Sequence, residues 1–514
     1  MFSNLRKTSV LLVFFLILPF VFAEQTSFPG VYRYKLANGL ELFVAENDSA
    51  PLAYIEIAVR AGAVTQNPQT AGLFHLYEHM LFKGNEKYGD QIEFTKAANR
   101  MGAIGQNGST GVDRVNYYFT VPSSLVKRGI EFWSYALRTP KLDERELENE
   151  KAVVLSEINA DFTDPSHIRV AALSKNLFPD GAWRLDPGGS AEVVRSATVA
   201  DLKDIQHKFY IPANSAVFVG GNVNHEEIFE MVNEIFGDWQ NPSAAVPFAA
   251  PPSKEPVSRD KKLVMVNPGN SDNMIQIGYY LRGPDGETDE YDTYAADVWS
   301  NIVQNPRSTF AKTLVSNEQL SIPESDYVGA SYTTRRASGI IGFYATMMFD
   351  FLPSAGAAPD TNYGFGSFDI ISARPAASTP VDKTDGFLSV LKNQAIPDMA
   401  RKEALFADIP ASLVLRQLAD SRIYDLESAK SILGSISYFW SACSSDYFFS
   451  YDQNVAQTSE DDVISFVQKY ITGKKGILLV SVSPAVWSQY KQVFKGHGYE
   501  EITAENAFWQ KQQH

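Results

Sequence analysis

Two histidines and a glutamate stand together at His75-Leu76-Tyr77-Glu78-His79. On a helix, residues four apart share a face one turn apart, so both imidazoles address a single ion, and Glu78 projects beside them. A zinc ion held by two imidazoles and a carboxylate keeps one position open for water, and an adjacent unligated carboxylate takes that water's proton. Hydrolysis of an amide needs this apparatus. The chain has seven histidines, and His167, His207, His225, His497 and His514 show no comparable spacing.

The order His-x-x-Glu-His reverses the commoner His-Glu-x-x-His and is the signature of the inverted zinc peptidases. The third ligand must come from elsewhere. A long helix expected from Asp143 to Phe162 offers Glu150 and Glu157, seven apart and hence two turns apart on one face. One of the pair would bind metal; the other would orient a ligand or the substrate.

The elements that position these groups are legible in outline. Tyr32–Leu36 and Leu40–Ala45, joined through Asn38-Gly39, read as a hairpin. A strand over Leu52 to Val59 leads through a small-residue loop into a helix over Thr70 to Lys83, which carries the motif. Asn116 to Val121 reads as a strand, Ser123 to Leu137 as a helix, and Asp164 to Gly189 as irregular sequence. Helices at Val199–Tyr210 and Glu226–Phe236 flank a strand at Ser215–Gly221. Beyond a Pro-, Ala- and Ser-rich stretch, strands are expected at Lys262–Val266, Met274–Leu281, Gly339–Phe349, Gly366–Arg374 and Gly476–Val482. Helices are expected at Thr288–Gln304, within Ala400–Leu433 and at Ser459–Ile471. Each half ends in a helix followed by a strand, the pattern of a diverged repeat.

At 514 residues the chain exceeds what one core sustains, since domains split near ~250–300 residues. Arg6 and Lys7, the apolar run Val10–Phe20 and the site Val21-Phe22-Ala23 read as a cleaved export signal. The expected division is a signal over 1–23, a zinc-binding domain over 24–240, a linker over 241–258 and a second domain over 259–514. Location outside the cytoplasm follows, the periplasm in a Gram-negative cell. A lone Cys443 rules out an internal disulfide and cysteine-cluster metal sites. The formal charge of −15 disfavours nucleic acid, whose phosphates need a basic footprint.

The stretch Gly72 to Gly84 resembles the pitrilysin/insulinase family of zinc peptidases, particularly its short members akin to the mitochondrial processing peptidase. Leu36-Ala37-Asn38-Gly39-Leu40 is similar to that family's first hairpin, and Glu150 to Glu157 to its carboxylate helix. The resemblance implies an α+β fold of two homologous domains, each a mostly antiparallel sheet packed with helices, and zinc as cofactor. By it, His75, His79 and Glu157 bind zinc, Glu150 is the acid behind a ligand, and Glu78 is the catalytic base. The segment Gly105 to Thr120 resembles the family's substrate strand, which implies that Asn107 lies where a peptide adds to the sheet edge.

One departure stands out. Family members that are complete carry an Arg and a Tyr seven residues apart in the second half. Here Val315 and Ile322 occupy those places, and neither donates a hydrogen bond. Arg335, Arg336 and Tyr344 are the nearby substitutes. The expectation is a metalloendopeptidase acting on peptides or unfolded segments, working as the zinc subunit beside a sister chain that supplies the Arg/Tyr pair. The alternative is a non-catalytic scaffold or binding subunit on the same fold.

Overall fold

The computed structural model describes residues 24–242, 257–336, 339–350 and 378–512. The signal stretch 1–23, most of the linker and the strand expected over Gly366–Arg374 lie outside the described residues. The first half builds a seven-stranded sheet from β1 (Glu24–Gln25), β2 (Val31–Lys35), β3 (Glu41–Glu46), β4 (Leu52–Val59), β5 (Ile104–Thr110), β6 (Val115–Pro122) and β7 (Ser215–Gly221). Its spatial order is β1-β2-β3-β7-β4-β6-β5. The second half builds six strands, β8 (Lys261–Val266), β9 (Met274–Arg282), β10 (Val328–Thr333), β11 (Ile340–Met348), β12 (Ile477–Val482) and β13 (Tyr499–Ile502), in the order β10-β11-β9-β12-β8-β13.

The two sheets repeat one plan. Reading β3-β7-β4-β6-β5 beside β8-β12-β9-β11-β10, the chain visits five positions in the same sequence. Polarity matches as well: β3 with β7 and β8 with β12 are parallel, and the other three pairings in each set are antiparallel. The edges differ, because β2 joins its sheet antiparallel whereas β13 joins parallel. The fold is α+β in two like domains.

Each strand shows why its sheet is covered. In β4, Ala53, Ile55, Ile57 and Val59 face helices of their own half, among them α1 (Leu73–Leu81), α2 (Gln91–Arg100) and α3 (Val126–Arg138). The alternate residues Tyr54 and Ala58, with Phe43 of β3 and Phe218 of β7, face the other way. That second face is covered by Ala429, Ile432, Leu433, Ile436 and Trp440 of the helix Ala429–Ala442, which belongs to the second half. Reciprocally, Ala172, Leu173 and Leu177 cover Leu263, Met265, Ile477 and Leu479 of the second sheet. The two helices occupy equivalent places in the repeat, each lying between the fourth and fifth of the five matched strands. Each half therefore lends a helix to the other.

The docking is polar as well as apolar. Glu56, buried in β4, accepts from Tyr54, from Asn116 and, at 2.6 Å, from Ser437 of the lent helix. Glu41 accepts the indole N–H of Trp440 at 2.9 Å. Buried carboxylates need such donors, since an unpaired charge in a core is costly.

Most element positions agree with the sequence reading, and one region corrects it. Pro165–Leu177, read as irregular, is a helix. Asp164 caps it by accepting from the backbone of Ser166 and His167, and Pro165 stands at the first helical position, where its missing N–H costs nothing. The Asp and Pro that read as irregular are start signals. α4 (Glu144–Asp161) and this helix, α5, meet at Phe162–Asp164. Among the described residues, no helix is long and apolar enough to cross a membrane.

Candidate metal centre

α1 is amphipathic in the sense the motif needs. Phe74, Leu76, Tyr77, Met80 and Leu81 are buried against the sheet, while His75 and His79 remain partly open. α4 crosses it, capped by Asp143 and anchored through Leu147, Val154 and Ile158, and so presents Glu150 and Glu157 to the two imidazoles. Three helical turns of unrelated sequence thus converge on one point.

The geometry at that point is specific. Nε2 of His75 and Nε2 of His79 lie 3.2 Å apart, and Glu157 Oε2 lies 3.5 Å from the first and 3.6 Å from the second. Ligands at ~2.0–2.2 Å around a tetrahedral zinc stand about 3.4 Å from one another. The three atoms therefore make a triangle of the size that zinc demands, so the residues present fit the ion. Among the described residues this is the only group of three such side chains close enough to hold a metal.

Glu150 has a different place. Its Oε2 lies 3.0 Å from His79 Nδ1, on the side of the ring away from Glu157, and its other oxygen pairs with the Lys83 ammonium. A carboxylate there fixes the tautomer that leaves Nε2 free as a lone-pair donor. His75 Nδ1 is buried without a hydrogen-bond partner among the described residues. Burial, and then the neighbouring His79, hold the His75 pKa down at about 4, so this imidazole is neutral near pH 7, the form that binds a metal.

Glu78 faces the same space without joining the triangle. It is buried, and burial raises its carboxyl above the ordinary value, opposed by His79 and by the Thr110 hydroxyl, which donates to Oε2 at 3.0 Å. A carboxylate of raised proton affinity is suited to act as a base. Thr110 closes the Asn107-Gly108-Ser109-Thr110 stretch of the expected substrate strand, where the sequence reading gave it no role of its own. The signal was its place on β5, two residues after Gly108 and hence on the same face. Gly108 leaves room for that carboxylate: a Cβ there would lie 2.6 Å from Glu78 Oε1, so a larger residue would displace it.

β5 is the last strand of its sheet, paired on one side only with β6. Its pairing shifts between Ile104 and Asn107, a bulge of the kind common at sheet edges. Asn107 is exposed, its amide 3.5 Å from the Tyr118 hydroxyl, and with Gly108 and Thr110 it lines a cavity of about 620 Å³ that also contains His75, Glu78, His79 and Glu157. The free edge and the three-ligand triangle open onto one space.

The second half offers no such group at the expected places. Ile322 is buried and Val315 packs against the same apolar core. Arg336 is committed to the junction of the two halves: it donates to Glu287, to the Ser441 carbonyl and, from its backbone, to Asp113 in the β5–β6 turn. Burial lifts the Asp113 carboxyl to about 6, and Arg335 and Arg336 pull it back. Tyr344 lies half-exposed on β11, lining a separate cavity of about 460 Å³ with Arg169 and Tyr280.

Two family profiles match this chain, insulinase (peptidase family M16) over residues 42–184 and peptidase M16 inactive domain over residues 196–349. Together they span more than half of it. A probable mitochondrial-processing peptidase subunit beta from Arabidopsis thaliana is 27% identical over 204 residues, 39% of this chain and 38% of that protein. The zinc protease PqqE of Helicobacter pylori is 24% identical over 305 residues, 58% of this chain and 66% of the relative. The matched span is thus less than two thirds of either relative. Among solved structures, a protease from Helicobacter pylori superposes with a TM-score of 0.67 at 17% identity, covering 88% of this chain and 100% of that one. The first half of the periplasmic protease PqqL from Escherichia coli gives 0.67 at 15% identity, covering 93% and 98%. With both profiles in chain order and the same fold in both structures, the chain belongs to the insulinase/pitrilysin peptidases of family M16.

Proposed function

We propose that the protein is a zinc metalloendopeptidase in which His75, His79 and Glu157 hold the ion and Glu78 is the general base. The convergence of two Nε2 atoms and one carboxylate oxygen at tetrahedral spacing carries the reading. When bound, zinc polarises the substrate carbonyl and makes water a nucleophile near neutral pH. Glu78 holds the attacking water, takes its proton, and passes that proton to the leaving amide nitrogen. Glu150 keeps His79 in the ligating tautomer. The free edge of β5, with Asn107, lays an extended peptide across the cavity through main-chain hydrogen bonds, which suits unfolded segments of varied sequence.

The unit of function extends beyond this chain. With Val315 and Ile322 in apolar packing and Arg336 spent at the domain junction, a sister chain of the same family supplies the Arg/Tyr clamp and completes a chamber. The relatives named mitochondrial-processing peptidase subunit beta fit that division of labour. The Arg6–Ala23 stretch supports action outside the cytoplasm, tested by finding Glu24 at the mature N-terminus. Zinc analysis and digestion of unfolded peptides, with and without the co-purified partner, test the rest. About one zinc per chain and cleavage that needs the partner are expected. Absence of zinc would favour the scaffold reading, and full activity of the isolated chain would remove the partner.

A further inference from the structure

A second cavity, of about 220 Å³, adjoins the metal centre and shares His75 and Thr110 with it. Val170 and Ala171 of α5, Ala182 and Leu185 of the following loop, and Phe508 and Trp509 from the far end of the chain line it. The C-terminal segment crosses from the second domain to reach this place. It is pinned there by four contacts: the Trp509 indole N–H donates to Asp186 at 3.2 Å, Gln510 to the Gly189 carbonyl at 3.1 Å, Lys175 to the Phe508 carbonyl at 3.2 Å, and the Phe508 ring packs edge-on against Phe162.

We infer that this cavity is a specificity pocket, walled by Phe508 and Trp509, which takes a large apolar side chain of the peptide next to the bond being cleaved. The inference rests on the peptidase reading above. Its position follows from the shared residues, because a side chain entering past His75 and Thr110 belongs to a residue held at the metal centre. Its size suits one ring or branched chain, since about 150 Å³ of apolar space accommodates benzene. Its open wall is apolar on the α5 side, where Val170 is 46% exposed beside Ala171, and polar at the rim, where the Asp161–His167 pair also faces solvent. The carboxylates on its wall are engaged. Asp161 pairs with His167 at 2.8 Å, and Asp186 accepts from Trp509 and the Gly189 backbone, with burial lifting its carboxyl to about 6. Neither is a free anion waiting for a basic side chain.

The test uses N-acetylated hydroxamates of glycine, phenylalanine and lysine, whose chelating group reads the metal and whose side chain reads the pocket, titrated calorimetrically into the zinc-loaded protein. The phenylalanine compound is expected to bind at least about tenfold tighter than the glycine one, the scale of burying one ring. That ratio should fall towards one in Ala171→Phe, which fills the pocket, and should drop in Trp509→Ala, which removes a wall. Equal affinity of the phenylalanine and glycine compounds for the unmodified protein would overturn the pocket while leaving the metal centre intact. Preference for lysine would overturn its apolar character. Failure of all three to bind would instead overturn the metal reading, and the pocket with it.

Discussion

Glu150 divides its carboxylate between His79 and Lys83, one oxygen 3.0 Å from the ring Nδ1 and the other on the ammonium. The His79 ring is therefore oriented by a group that is itself held. Carboxylates placed behind a ligating histidine change metal affinity by ~10–100-fold. Glu150→Ala should weaken zinc binding within that range, read by competition with a chromophoric chelator, and Lys83→Met should have a smaller effect in the same direction.

Glu78 lies beside the triangle and contributes none of its corners. Glu78→Gln should leave zinc stoichiometry unchanged while lowering kcat/KM by about 10²–10⁴-fold, the span of general acid–base contributions. Turnover like that of the unmodified protein would exclude Glu78 as the base.

Burial and Thr110 act on Glu78 with opposite signs. A base must be ionised, so activity falls as pH drops through its pKa, and burial acts to move that limb upward. The Thr110 hydroxyl favours the ionised form. Thr110→Val should shift the acid limb of kcat/KM to higher pH while zinc content stays the same.

Asp297, partly buried in the second half, accepts the Tyr451 hydroxyl at 2.8 Å, and burial raises its carboxyl to about 7 from 3.8. A carboxyl whose pKa is higher folded than unfolded favours the folded state fully below its unfolded pKa, and that stability is lost as pH rises through the folded value. Relative to Asp297→Asn, the unmodified protein should lose stability on the order of 1–3 kcal/mol between pH 4 and pH 8. Urea unfolding at several pH values measures the difference, and parallel curves would refute it.

Ser437→Ala removes the 2.6 Å hydrogen bond to buried Glu56. Loss of one donor to a buried carboxylate costs about 1–3 kcal/mol. The midpoint of urea unfolding should fall accordingly, although the mutated helix and the weakened sheet belong to opposite halves of the sequence.

The centre was legible because its information is local. His75 and His79 share a helical face by spacing alone, and Glu150 and Glu157 do the same on α4, so only the meeting of two helices lay beyond periodicity. Which glutamate faces which nitrogen depends on that crossing. The covering of the sheets was half-legible. Leu42 to Ala45 form an apolar run without alternation, which says that β3 is buried on both faces. No residue in the run says that the second cover arrives from Ala429 onward. α5 was missed because Asp164 and Pro165 signal a helix start as readily as a loop. The placement of Phe508 and Trp509 against Ala182 is a contact across more than three hundred residues, which no local pattern carries.

The exchanged helices also set the mechanics of access. With each sheet capped by a segment of the other half, the two domains cannot swing apart without stripping both caps at once and breaking the Glu56–Ser437 and Glu41–Trp440 contacts. The two halves are thereby coupled, and a peptide cannot be admitted by their parting alone. On the proposed reading with a sister chain, the gate would be the approach and withdrawal of that second body, and turnover would track how long the two stay closed.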